Sequence, residues 1–364
     1  MDRGEASGAA RGSSAGDRRR VLVVAPDKFR GSLTAPEVVA AVTPAAEELG
    51  WQVRGMPFCD GGEGMLDAFG GATRTSLVTG PHGRPVEAPW RLGEDGTAVI
   101  ESARASGLLL AGGGAGNDPV RATSRGTGEL VAEAVRAGAR TVVVGLGGSA
   151  MTDGGRDAVA AVLEGLDGRT PLGLGVDLVV ACDVTTVLTD AARVFGPQKG
   201  ASPEQVEELT ERLERVQEEY LDVFGARMSA AGVDLPTLPG GGAAGGLGAG
   251  LVALGGRLAP GFDVVAQHVG LEAALDGADA VLTGEGALDE QSFRGKVVGG
   301  VAAAAARHGI PVVVLVGTVR PGTPVAQVGK VSAVDLSARF GAHASWHRTA
   351  ECLARATREQ LLRL

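Results

Sequence analysis

Val142-Val143-Val144-Gly145-Leu146-Gly147-Gly148-Ser149-Ala150-Met151-Thr152-Asp153-Gly154-Gly155 is an apolar, β-branched run that empties into a glycine-rich loop, and a helical pattern begins at Arg156. A continuous run of this kind marks a strand buried on both faces, as in a parallel sheet. Glycines let backbone amides approach a ligand closely, and the N-terminus of the following helix favours negative charge. Taken alone, the stretch reads equally well as a tight strand-to-helix turn with no ligand. The rest of the chain decides between the two readings.

The same pattern recurs on both sides. Val21–Ala25 leads into Pro26-Asp27-Lys28-Phe29-Arg30-Gly31-Ser32, and Trp51–Phe58 leads into Cys59-Asp60-Gly61-Gly62-Glu63-Gly64. Val176–Ala181 ends in Cys182-Asp183, and Ala278–Thr283 ends in Gly284-Glu285-Gly286-Ala287-Leu288-Asp289. Each apolar run therefore delivers an acid at its end: Asp27, Asp60, Asp153, Asp183, and Glu285 with Asp289. In open parallel sheets, ligands bind outside the carboxyl ends of the strands. Several acids beside glycines, with Lys28, Lys199 and Lys296 at hand, suit a divalent metal together with a phosphate. For any single acid a loop cap or a solvated carboxylate is the plainer reading; the set favours a phosphate site.

Helical segments fill the intervals. Thr34 with Glu37 three residues on forms a capping-box pattern that starts a helix over Ala35–Leu49, ending at Gly50. Ser124–Gly138 and Gly295–His308 are helical, and Ser202 caps another helix with Pro203 in its first turn. Glu208/Arg212 and Glu211/Arg215 on that helix read as a solvated face. Residues 73–101 read as strands and turns, Pro311–Val316 as a strand, and Trp346–Leu364 as an amphipathic helix. The fold class is α/β.

Composition narrows the function. At 364 residues, 44% of them hydrophobic, the chain can bury the core of one or two domains. Its 59 glycines punctuate apolar runs instead of forming repeats. A net charge of −9 argues against a nucleic-acid partner. Cys59, Cys182 and Cys352 are scattered without a CxxC, which favours a reducing, cytoplasmic setting. No apolar run reaches the roughly 18 residues of a membrane span. Residues 1–19 lack an apolar core and read as a disordered tail.

Other motifs fail on inspection. Gly145-x-Gly147-x-x-Ala150 fits a relaxed dinucleotide fingerprint, but Asp167, near the ribose-acid spacing, does not end a strand, which argues against a nicotinamide enzyme. Arg294-Gly295-Lys296 is followed by Val297 and is no P-loop. His343 and His347 have helical spacing but no third ligand, and read as a surface pair. Cys59 and Cys182 read as packing residues.

The motifs together resemble those of the type-1 glycerate kinases. Ala25-Pro26-Asp27-Lys28-Phe29-Arg30-Gly31-Ser32-Leu33, Asp60-Gly61-Gly62-Glu63-Gly64 and Thr123-Ser124-Arg125-Gly126-Thr127-Gly128-Glu129-Leu130 are similar to the first three motifs of that family, and the central loop to its GIGGSATNDGG. Ala181-Cys182-Asp183-Val184, Val194–Ala201, Gly240–Gly250 and Gly284-Glu285-Gly286-x-x-Asp289-x-Gln291-Ser292 with Gly295-Lys296 follow in family order. The resemblance implies ATP-dependent, Mg²⁺-assisted phosphorylation of a hydroxyl of D-glycerate, with 2-phosphoglycerate favoured as product. It implies two α/β domains around a cleft: a Rossmann-like one from residues 20–75 and 275–364, and an inserted one from 76–274. It leaves monomer and homodimer open.

On this reading Asp183 is the first choice for the base that accepts the hydroxyl proton and Asp60 the second, with Lys28 and Lys296 offsetting phosphate charge. Asp27, Arg30, Ser32, Gly61, Gly62, Glu63, Gly147, Gly148, Ser149, Asp153, Gly154, Lys199 and Gln291 would contact substrate or phosphate. Asp183, Glu285 and Asp289 would hold the metal. The chain departs from the family at Met151-Thr152, where Thr-Asn is usual, at Ala287, where Arg is usual, and at Thr185-Thr186, where an amide is expected. The segment from Val162 to Val176 is also short. These departures keep two alternatives in view: a kinase for another small hydroxy acid, and a non-catalytic binding paralogue.

Overall fold

The computed structural model describes residues 18–293, 295–323 and 331–364. Most of the stretch read as a tail, residues 1–17, lies outside them. Two sheets organise these residues. The first has strand order β11-β10-β9-β1-β2, with β1 Val21–Val24, β2 Gln52–Gly55, β9 Ala280–Leu288, β10 Val312–Val319 and β11 Val331–Asp335. All its pairings are parallel. The second has order β3-β4-β5-β6-β7-β8, with β3 Arg74–Thr79, β4 Pro85–Leu92, β5 Thr97–Glu101, β6 Thr141–Gly145, β7 Asp177–Ala181 and β8 Arg257–Ala259. Here β3, β4 and β5 pair antiparallel and β5 to β8 run parallel. The chain is thus α/β, as its alternating apolar runs and helical patterns predict. The strand predicted over Trp51–Phe58 is shorter, Gln52–Gly55, while β9 runs five residues beyond Thr283.

Parallel strands demand crossovers, and the helices supply them. Ala35–Glu47 joins β1 to β2, and its predicted capping box forms: the Glu37 amide donates to the Thr34 hydroxyl at 3.4 Å, and the Thr34 amide donates to the Glu37 carboxylate at 2.7 Å. Val297–Arg307 joins β9 to β10. Successive residues of a strand face opposite sides, so each sheet feeds two cores. Val142, Val144 and Val180 turn toward the helices Arg125–Arg136 and Arg156–Gly165. Val99, Val143 and Val179 join one apolar cluster with Val23, Phe58, Phe262, Val281 and Val314. That shared cluster draws on both sheets.

In the five-stranded sheet the strand order reverses between β1 and β9. The two neighbours at that point, with their following loops, diverge to opposite sides and leave a crevice at their carboxyl ends. Among the described residues no helix is long and apolar enough to cross a membrane.

Candidate active site

A cavity of about 600 Å³ opens at this reversal. The loop after β1 contributes Asp27, Lys28, Arg30 and Ser32, the loop after β2 contributes Asp60, and β9 contributes Glu285 with Gly286 and Ala287. Lys296, at the start of the β9–β10 crossover helix, completes the charged lining. Three separate predicted motifs thus converge. The close approach is built from glycine: a side chain at Gly317 of β10 would collide with the Gly286 carbonyl, and one at Gly286 would sit 3.2 Å from the Arg30 amide nitrogen.

Charge in the cavity is tightly coupled. Lys28 Nζ donates to the Glu63 carbonyl at 3.0 Å and lies 3.6 Å from Asp27 Oδ1. Burial works against the ammonium, but Asp27 and Asp60 outweigh it and raise its pKa. Burial likewise pushes the Asp27 carboxyl to about 6, against the pull of Lys28. Burial pushes Glu285 to about 7, and its Oε1 is buried without a hydrogen-bond partner.

Asp183 is not among the residues that line the cavity, but its charge interacts with Asp60 and Lys296, which do. Its Oδ1 accepts the Gly261 amide at 2.7 Å, which fixes the carboxylate, and among the described residues the other oxygen has no hydrogen-bond partner. Its side chain reaches solvent, yet packing around it, with a contribution from Asp60, raises its pKa to about 6. Gly61 packs against Ala181 at the end of β7 and Gly261 after β8, and Gly62 against Gly147 after β6, so the acidic loop after β2 spans the carboxyl ends of β6, β7 and β8. Glu63 itself is exposed.

The remaining predicted residues fall elsewhere. Asp153 is 6% exposed and accepts the Ser124 amide at 2.8 Å, the Ser124 hydroxyl at 2.7 Å and the Gly155 amide at 3.0 Å. Lys199 is 3% exposed and donates to the Ser149 hydroxyl at 3.0 Å and the Met151 carbonyl at 2.6 Å. Gly154 presents its carbonyl to the Tyr220 hydroxyl at 2.9 Å. These groups brace the central loop from inside, while Gly148 faces solvent. Asp289 accepts the Gln291 amide at 2.9 Å and the Ser292 amide at 3.2 Å, so it caps the turn Glu290–Phe293. Neither Asp289 nor Gln291 lines the cavity.

Part of the lining has no signal in the sequence. Arg320 from just past β10, Ser337, and Ala342, Ser345, Trp346 and Thr349 from the C-terminal helices all line the cavity. No strand was expected at Val331–Asp335, and Trp346–Leu364 was read as one amphipathic helix. The chain instead breaks at Arg348 between the helices Ala342–His347 and Thr349–Leu361. The His343 and His347 rings meet at a 45° tilt with centroids 4.6 Å apart.

The donor set suits magnesium. It consists of hard carboxylate oxygens, and one of them, Glu285 Oε1, lacks a partner. Among the described residues no three acids, histidines or cysteines form a ready-made metal cage. Magnesium is commonly held by one or two carboxylates plus waters and substrate phosphates.

Comparison with known proteins points the same way. A sequence profile described as the glycerate kinase family matches residues 22–168 and 163–364. The chain is 39% identical over 352 residues to a glycerate 2-kinase of Escherichia coli, covering 86% of this chain and 89% of that protein. It is 37% identical over 335 residues to a glycerate kinase of Bacillus subtilis, covering 82% and 85%. It superposes with a TM-score of 0.78, at 35% identity, on a crystal structure described as glycerate kinase 2 of Salmonella typhimurium, covering 94% and 97% of the two chains.

Proposed function

This chain belongs to the glycerate kinase family, and on that premise we propose that it transfers the γ-phosphoryl group of ATP to the 2-hydroxyl of D-glycerate, giving 2-phosphoglycerate and ADP. The observation that carries this reading is the convergence of Asp27, Lys28, Asp60, Glu285 and Lys296 on one cavity at the strand-order reversal. The choice of the 2-position leans on the E. coli relative, named a glycerate 2-kinase.

Phosphoryl transfer needs little covalent help from a protein; positioning and charge neutralisation supply most of the rate. Lys28 and Lys296 hold phosphate oxygens and offset their charge. Lys28 is pre-positioned for this by its bond to the Glu63 carbonyl. Asp183 accepts the acceptor hydroxyl's proton through the oxygen that Gly261 leaves unengaged. A carboxylate with a pKa of about 6 is well matched to that task near neutral pH. Asp60 is the second candidate base, because it lines the cavity beside Asp27. Glu285, with a neighbouring carboxylate, holds magnesium, which when bound neutralises charge on the transferred group. Arg30 lines the same cavity and would meet the glycerate carboxylate, while the Ser32 hydroxyl is engaged by Thr349 and the Trp346 carbonyl.

We assign the five-stranded sheet with its helices to one domain and the six-stranded sheet to the inserted one, with borders near residues 75 and 275, and place the enzyme in the cytoplasm. A second reading, a kinase for another small hydroxy acid, draws on Ala287, which lines the cavity where the family usually carries an arginine. A coupled ADP-release assay with ATP, Mg²⁺ and D-glycerate beside other small hydroxy acids separates the two. Turnover with glycerate supports the first, turnover only with another acid the second, and ATP binding without turnover defeats both.

A further inference from the structure

Trp346 is out of place for a tryptophan that has only a packing role. The chain has three. Trp51 is 3% exposed with the Arg20 guanidinium 4.1 Å above its ring, and Trp90 is 0% exposed with Arg74 at 5.5 Å. Trp346 is 57% exposed, lines the cavity, and carries no stacked guanidinium among the described residues. Leaving a large aromatic face in water inside a concave site forgoes a large burial gain, unless a ligand covers it.

Its surroundings hold it in place. The Trp346 carbonyl accepts the Ser32 hydroxyl at 3.3 Å and the Thr349 hydroxyl at 3.1 Å, and Ser32 is also hydrogen-bonded to Thr349. The next residue back, Ser345, donates to the Gly317 carbonyl of β10 at 3.2 Å. Gly31, at φ +79°, runs beside the indole: a Cβ there would lie 3.1 Å from Trp346 Cζ2. The loop that carries Lys28 and Arg30 is thus tied to the tryptophan. One cavity joins a cationic, acid-lined region to a flat aromatic wall, the two chemistries a nucleotide presents.

We propose that Trp346 is the stacking platform for the purine base of the nucleotide donor, with Gly31 and Ser32 fixing it relative to the phosphate-holding lysines. This inference rests on the nucleotide-kinase reading above. Stacking on an aromatic face recognises the π-surface of the base and does not require hydrogen bonds to its edge.

The test uses the full-length protein. Because Trp51 and Trp90 are buried, acrylamide quenching of tryptophan fluorescence reports Trp346. ADP is expected to protect it, whereas inorganic tripolyphosphate, which has no base, is expected to bind without protecting it. By calorimetry, Trp346→Ala should bind ADP about tenfold or more weakly with tripolyphosphate affinity unchanged, and Trp346→Phe should recover most of the loss. Equal ADP affinity in wild type and Trp346→Ala, with unaltered quenching, overturns the inference and leaves the kinase reading intact. Protection by D-glycerate and not by ADP also overturns it, moving Trp346 to the acceptor side. Failure of the wild type to bind either ADP or tripolyphosphate overturns the nucleotide-donor reading itself.

Discussion

Lys199 Nζ donates to the Ser149 hydroxyl at 3.0 Å across a separation of fifty residues, and both side chains lie in the interior. Burial depresses the Lys199 pKa to about 7, with Asp153 pulling the other way. The unfolded chain, with an ordinary lysine near 10.5, binds the extra proton throughout the window between these values. Stability from this residue therefore rises with pH from about 7 to 10. Lys199→Met removes the titration. The wild-type-minus-variant difference in unfolding free energy should grow by about 1.4 kcal/mol per pH unit within the window. Taking the difference cancels the buried cysteines, which act in the opposite sense at high pH. Urea unfolding at pH 7, 8 and 9 measures it, and a flat difference refutes a neutral-leaning Lys199.

Asp183→Asn keeps the side chain's shape and its acceptor for the Gly261 amide but removes the base. Circular dichroism should be unchanged and kcat should fall by roughly 10²–10⁴. The same substitution at Asp60 should leave more activity. If Asp60→Asn is the more damaging of the two, the base role passes to Asp60.

The acids in and beside the cavity also predict a pH profile. Asp27 and Asp183 sit at about 6 and Glu285 at about 7. A base works only when ionised, so kcat/KM should climb with pH through about 6 to 7 and level off above. Asp183→Asn should flatten the part of the rise near 6. A wild-type profile already level between pH 5 and 8 contradicts these assignments.

How much of this could be seen in the sequence follows from what each residue's type reveals. Asp27, Lys28, Asp60, Glu285 and Lys296 could be found because charged residues recur after several apolar runs, and parallel-sheet geometry gathers strand ends in space. Asp153 and Lys199 drew attention for the same reason, yet they lie in the interior bracing the central loop. Strand periodicity says which face of a strand is buried, but it says nothing about a loop side chain. Trp346 and Ser345 were invisible as site residues because a serine and a tryptophan on an amphipathic helix have no distinctive chemistry. Only the fold brings Trp346 against a loop more than three hundred residues earlier and sets Ser345 against the end of β10.

Glu285→Gln should trade activity for stability. The carboxylate is half-buried, one oxygen lacks a partner, and its pKa is raised to about 7 from an ordinary 4.5. A raised carboxyl pKa means the folded state resists ionisation, so its stabilising contribution at low pH is lost as pH rises through 7. The neutral amide avoids that loss. At pH 8 the variant should melt on the order of 2 °C higher and turn over glycerate far more slowly. Differential scanning calorimetry at pH 5 and pH 8 checks the sign, since the gain should shrink at pH 5.

Gly261→Ala tests how the acidic loop is held. An added Cβ at Gly261 would collide with the Asp60 carbonyl and the Gly61 Cα, so the loop and the helix beginning at Gly261 must separate. That separation loosens the Gly261 amide from Asp183 and moves Asp60 relative to Lys28 together. Neither Asp183 nor Asp60 is chemically changed, so any loss reports geometry alone. A misplacement near 1 Å commonly costs about 10² in rate. We therefore expect kcat to drop by about that factor, with little change in the far-ultraviolet spectrum. Gly270→Ala at the other end of the same helix is the control. Gly270 also has positive φ, at +70°, but its Cβ would meet no neighbour. The control should lose some stability and retain turnover. Equal turnover in the two variants would separate the glycine contact from catalysis.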